Sequence, residues 1–140
     1  MSDSRLEDRQ AIREVMARYA HGLDSRDMDM VASVFAQDAY AEYPNFKDSG
    51  VDKITDMLRN AISRFQGTLH FMGNQLVEFK NGKADVETYC IAHHIRAEGG
   101  NGQILIVGLR YYDEMAPRGD HWVIQKRRIN ILWRETRPVQ

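Results

Sequence analysis

The chain reads as an α+β fold in which three helices pack on one face of a curved, mainly antiparallel sheet, a cone-shaped roll, and three observations predict it. Apolar residues recur at three- and four-residue steps from Ile12 to Leu23 and again from Ile54 to Phe65, the period of a helix with one buried stripe. From Thr68 onward the apolar period changes to two, the mark of strands whose successive side chains face opposite ways. Those strands are joined by short turns, of which Lys80-Asn81-Gly82-Lys83 carries Asn-Gly, the strongest short hairpin signal. Helices first and hairpin-linked strands last describe an α+β domain. The chain has 140 residues, an ordinary size for one domain, so residues 1–140 are expected to form a single unit.

The first helix is capped by Ser4 or Asp3 and buries Ile12, Val15, Met16, Tyr19, Ala20 and Leu23. Asp24-Ser25-Arg26-Asp27 breaks that pattern, and a short second helix follows with Met30, Val31, Val34 and Phe35 as its apolar positions. After Asp38 the alternating Ala-Tyr-Ala-Glu-Tyr run ends at Pro44 and reads as a short edge strand. Asn45 to Gly50 is expected to be loop, and the third helix runs to about Phe65. Four long strands complete the chain. On the first, His70 shares a face with Thr68, Met72, Asn74 and Leu76, and Leu69, Phe71, Val77 and Phe79 lie mainly on the other. The second, Ala84 to Ile95, presents Val86, Thr88, Cys90, Ala92 and His94 on one face. Gly99-Gly100-Asn101-Gly102 turns into Gln103 to Tyr112, and Pro117-Arg118-Gly119-Asp120 turns into Trp122 to Trp133, after which the chain frays at Pro138. Tyr89, Ile91 and Ile95 on the far face would leave an apolar patch exposed in a monomer, which suggests a homodimer through that face, with higher assembly open.

Composition excludes several function classes. Lys and Arg total 19 against 20 Asp and Glu, and the one basic run, Lys126-Arg127-Arg128, falls on a strand that splits its charges between two faces, so no nucleic-acid surface is expected. The single cysteine, Cys90, permits no intrachain disulfide and agrees with a reducing compartment. The charged N-terminus and the lack of a long apolar run make cytoplasmic the expected location, with no membrane partner. His93 and His94 are adjacent on a strand and cannot converge on one ion, so no metal is expected, and the absence of a Gly-rich phosphate loop leaves no cofactor motif.

What remains is acid-base chemistry. A face that mixes an imidazole with apolar residues suits a pocket wall, although a packed histidine needs only one hydrogen-bond partner to be purely structural. Asp24 has two readings as well, as the cap of the second helix or as a carboxylate that hydrogen-bonds one ring nitrogen of His70. The second arrangement fixes the tautomer, favours the imidazolium as it forms, and leaves the other nitrogen free to take a proton.

Ile12-Arg13-Glu14-Val15-Met16-Ala17-Arg18-Tyr19, Leu23-Asp24-Ser25-Arg26-Asp27, Thr68-Leu69-His70-Phe71 and Trp122-Val123-Ile124-Gln125-Lys126-Arg127 together resemble the SnoaL-like group of the nuclear transport factor 2-like superfamily, over nearly the whole chain. Within it the chain is similar to scytalone dehydratase, bile acid dehydratase and hexachlorocyclohexane dehydrochlorinase. These are cofactor-free lyases with an Asp-His dyad in a cone-shaped cavity. The resemblance places Asp24 and His70 on the dyad, Tyr19 and Tyr43 on pocket tyrosines, and His94, after a one-residue gap, on a second pocket histidine. It implies an elimination on a small cyclic or polyketide- or steroid-like ketone or alcohol, an apolar ligand, with His70 as base, Tyr43 as donor to the substrate carbonyl, and His94 or Tyr19 protonating the leaving hydroxyl. Met72 and Thr88 are expected in the wall, with Arg127 binding an anionic group or pairing with an acid. Leu23 stands where scytalone dehydratase has a tyrosine, and that enzyme's substrate-binding Ser and Asn have no counterpart, so its substrate does not carry over. Ketosteroid-type isomerases, polyketide cyclases and non-catalytic subunits share the superfamily and remain as alternatives.

Overall fold

Residues 5–98 and 101–139 are described by the structure, a computed structural model. The stripe predicted for the first helix forms α1 (Leu6–Ser25), with Ile12, Val15, Met16, Tyr19, Ala20 and Leu23 all buried. The expected caps Ser4 and Asp3 lie outside the described residues. α1 ends where Arg26 adopts a left-handed conformation at φ 62°, and the Asp27 amide donates back to the Gly22 carbonyl at 2.8 Å, a tight closure of the last turn. Gly22 is required there because a Cβ on it would sit 2.8 Å from Val31 Cγ2. That close approach lets α2 (Met28–Ser33) fold back against α1, with the Asp27 side chain accepting from the Met30 amide at 3.1 Å as its cap.

The chain then forms β1 (Phe35–Tyr43) and β2 (Phe46–Ser49) before α3 (Val51–Ser63). Ile54, Leu58 and Ile62 on α3 are buried, and burial of each stabilises by about 1.5–3 kcal/mol. The last four elements are β3 (Gly67–Lys80), β4 (Lys83–Glu98), β5 (Asn101–Arg118) and β6 (His121–Val139). They lie in one sheet of order β2-β1-β6-β5-β4-β3, antiparallel except for the parallel pairing of β1 with β6. The inner face carries the core residues Val86, Cys90, Ala92, Leu109, Tyr111 and Met115 beneath the helices. Register shifts in β3, β6 and β1 bend the strands, as bulges do, and curve the sheet round the helices.

The α+β class and the helical layer agree with expectation, and the differences are local. Phe35 opens β1 instead of closing the second helix, and β1 is not the edge: it lies between β2 and β6. The expected loop from Asn45 contains β2, because Asn45 takes φ 62° and Tyr43 pairs with Phe46 across a tight turn. β6 does not fray at Pro138, which sits opposite Gln103 in the ladder. The shift between Met72 and Gln75 reverses the second half of β3. Leu76 therefore points outward at 70% exposure, whereas Val77 and Phe79 pack against the core. The glycines at 99 and 100 lie outside the described residues. No helix among the described residues is long and apolar enough to cross a membrane.

Candidate active site

The corner between α1 and α2 delivers Asp24 to the start of β3. The Arg26 guanidinium clamps this junction, donating to the carbonyls of Leu23 at 3.0 Å and of Ile62 and Phe65 at 3.2 Å, and to the Thr68 hydroxyl at 3.1 Å. One side chain thus ties the end of α1 to the end of α3 and to β3. Asp24 then accepts three hydrogen bonds: from the Thr68 hydroxyl at 2.9 Å, from the His70 amide at 2.9 Å, and from His70 Nδ1 at 2.8 Å. Burial pushes the Asp24 carboxyl up, but the hydrogen bonds from the His70 ring, the His70 amide and Thr68 together hold it below its usual range. The carboxylate is therefore ionised at neutral pH and can only accept, so Nδ1 carries the hydrogen and the neutral His70 ring keeps Nε2 as an unprotonated base. Asp24 is not the helix cap; Asp27 holds that position.

His70 lines a cavity of about 510 Å³ whose wall also includes Tyr19, Tyr43, Phe65, His94, Leu105 and Tyr111. The His94 and His70 rings meet edge to face with centroids 5.8 Å apart, and Phe65 packs on His94 at 4.8 Å. His94 Nδ1 lies 3.1 Å from the Leu105 carbonyl, an acceptor only, so that nitrogen carries hydrogen. Burial lowers the His94 pKa, and the neighbouring His70 adds to this against the pull of the Leu105 carbonyl. The ring is neutral, with Nε2 as an acceptor. His94 is thus placed in the wall, with its one hydrogen on Nδ1 and directed to the Leu105 carbonyl.

The tyrosines form a hydrogen-bonded pair, with their hydroxyls 2.7 Å apart, and Arg127 donates to the Tyr43 oxygen at 3.1 Å. Burial pushes Tyr19 well above its ordinary pKa, so it stays a neutral donor. Either hydroxyl can donate in that pair; when Tyr19 donates, as Arg127 does, the Tyr43 hydrogen is left free for an acceptor in the cavity. Arg127 itself is buried and makes a two-pronged pair with Asp113 at 2.7 and 2.8 Å, its guanidinium lying over the rings of Tyr19 and Tyr111. It pairs with an acid and is no substrate anchor: it does not belong to the cavity wall.

Met72 and Thr88 are also elsewhere. Both line a separate cleft under α1 with Gln10, Arg13 and Gln75, where the Gln75 amide donates to the Thr88 hydroxyl at 3.1 Å. They share the inner face with His70 but lie further along the strands, past the reach of the cavity. The residues that sequence reasoning missed are Thr68, which donates to Asp24, Arg26, which donates to Thr68 and clamps the corner, and Phe65, Arg64 and Arg134, which line the cavity. Asp113 was legible in principle, since it falls in phase with the apolar Leu109, Tyr111 and Met115.

Comparison with known proteins agrees with this architecture. The SnoaL-like domain family matches residues 4–128. An uncharacterised protein of Mycobacterium tuberculosis (strain ATCC 25618 / H37Rv) is 29% identical over 131 residues, which cover 91% of this chain and 87% of that protein. A crystal structure from Novosphingobium aromaticivorans, provisionally named a scytalone dehydratase, superposes with a TM-score of 0.84 at 25% identity, covering 100% of this chain and 94% of that one. A hexachlorocyclohexane dehydrochlorinase of Novosphingobium barchaimii shares the fold with a TM-score of 0.82 at 21% identity, over 96% of this chain and 92% of that one. The helices on a curved sheet and a family match that spans both ends of the dyad lead to one assignment: the chain belongs to the SnoaL-like family of the nuclear transport factor 2-like superfamily.

Proposed function

We propose that this protein is a cofactor-independent lyase that removes water from a small cyclic β-hydroxy ketone. The observation that carries the proposal is the 2.8 Å contact of Asp24 Oδ1 with His70 Nδ1 beside an apolar cavity. His70 Nε2 takes the proton from the carbon next to the carbonyl, and ionised Asp24 stabilises the imidazolium. Charge that develops on the carbonyl oxygen is met by the Tyr43 hydroxyl, itself polarised by Arg127. The enolate expels the β-hydroxyl, which leaves as water with the proton returned from His70 Nε2, so the imidazole ends neutral. His94 Nε2 accepts from the departing hydroxyl and orients it.

The dehydratase and dehydrochlorinase neighbours support an elimination over an isomerisation. An isomerase would use the same base and return the proton to another carbon, without loss of water. The working unit we propose is the 1–140 domain as a cytoplasmic homodimer. Support comes from the outer face of the sheet, where Phe71, Ile91 and Trp133 fall in one row and are 63%, 39% and 42% exposed.

The test is 3-hydroxycyclohexanone with the purified protein, with enone formation followed in the ultraviolet. The proposal expects turnover by the wild type and a loss of about 10²–10⁴-fold in His70→Ala, with the fold retained by circular dichroism. Binding of cyclic ketones without enone formation or double-bond movement would favour a ligand-binding subunit instead.

A further inference from the structure

The cavity has a charge pattern that the elimination does not use. Its lining contains no aspartate or glutamate, and its only charged side chains are Arg64 and Arg134. Among the described residues, neither guanidinium has an ion-pair or hydrogen-bond partner. Both are exposed, whereas the His70 side chain is 7% exposed. A guanidinium without an acid partner at the rim of a mainly apolar hollow is a recognition element for an oxyanion, which it binds through two parallel N–H donors.

The ladder fixes where that element stands relative to the base. His70 pairs with Ala92, Ala92 with Val107, and Val107 with Arg134, so four adjacent strands place these residues in one row. All four line the cavity. The row spans three inter-strand steps, about 14 Å between its end backbones. The two middle residues are small, so the row is a floor with a basic side chain at one end and the imidazole at the other.

We infer that the natural substrate is a carboxylate-bearing cyclic compound, its acid group held by Arg134 at the far end of the row and its acidic C–H laid against His70, with Arg64 a second cation on the same cavity wall. The inference rests on the proposed base role of His70 for the orientation, but the anion preference stands on the arginines alone. The two positive charges make an acid bind better than its neutral ester. It also fixes the end of the ring system that meets the base.

Calorimetric titration with 4-(4-oxocyclohexyl)butanoate and with its methyl ester tests this. The acid is expected to bind the wild type at least tenfold more tightly than the ester, with the advantage shrinking in 0.5 M salt as a rim contact requires. In Arg134→Gln with Arg64→Gln the ratio falls to near one while ester affinity is unchanged; both sites are exposed, so the fold tolerates the change. Equal binding of acid and ester to the wild type, a ratio that survives the double substitution, or no binding of either probe at millimolar concentration would overturn the inference. The dyad is scored separately in His70→Ala, which keeps the acid-to-ester ratio but loses deuterium exchange next to the ketone. If exchange persists there while the arginine effect holds, the base assignment fails and the anion site stands.

Discussion

Asp24→Asn is the most informative single change, because the structure leaves the new amide no good orientation. Asp24 receives three donors: the Thr68 hydroxyl and His70 Nδ1 on one oxygen, and the His70 amide on the other. If the asparagine oxygen faces the ring, its NH₂ meets the His70 amide, donor against donor, and a backbone N–H loses its partner at a cost of about 1–3 kcal/mol. If the amide turns over, NH₂ faces Nδ1 and the ring must move its hydrogen to Nε2, which removes the base. Either way the imidazolium formed during turnover has lost its counter-charge. Since the Asp24 side chain is 25% exposed, the stability cost belongs near the lower end of that range. The loss of turnover falls within about 10²–10⁴-fold, because one orientation removes the base and both remove the counter-charge of the imidazolium. Two assays separate the effects: enone formation for the rate, and nitrogen-15 shifts of the His70 ring for the tautomer. A variant that keeps its full rate, whichever ring nitrogen carries the hydrogen, refutes the reasoning.

Further outcomes follow from other parts of the site. Arg127→Met strands a buried Asp113 and is expected to cost about 3–5 kcal/mol in urea unfolding, whereas adding Asp113→Leu recovers most of it; an equally unstable double variant contradicts the buried-pair assignment. His94 has a lowered folded-state pKa, so it contributes stability that is present above about pH 6.5 and lost as pH falls through its folded value. His94→Asn should flatten that slope in unfolding midpoints measured between pH 7 and 5, roughly the window of an ordinary histidine. Asp24, also lowered, acts only below the usual carboxylate range of about 4, and an unchanged slope in the His94 variant would count against the assignment. Burial pushes the Cys90 thiol up to about 12, so Ellman's reagent at mild alkaline pH should react only after denaturation; prompt reaction in the native protein means that the inner face of β4 is misassigned.

The parts of this fold that were legible in the sequence are those set by local period. The stripes of α1 and α3, the Asn81-Gly82 hairpin, and the split of β4 into faces all depend on neighbours within a few residues. Whether Asp24 meets His70 depends on strand and corner geometry, and the sequence offered two roles for the carboxylate with no local means to choose. Pairing partners were not legible for the same reason. β1 looks like an edge from its proline, yet β6 arrives from the far end of the chain to flank it. The shift after Met72 also leaves no trace in composition, so a strict alternation misplaces Leu76 and Val77. Met72 and Thr88 face the right side of the sheet but sit too far along it. Arg127 carried a usable signal, since it shares a phase with Ile129 and Ile131; a charge in an apolar register implies a buried partner, here Asp113.

The account depends on Nε2 of His70 being a free base turned to the cavity. The direct measurement is exchange of deuterium from solvent into the carbon next to the carbonyl of bound 3-hydroxycyclohexanone, with wild type and His70→Ala compared at neutral pH. The account predicts exchange in the wild type and a fall of about 10²–10⁴-fold in the variant. Exchange at the wild-type rate without the imidazole would contradict it.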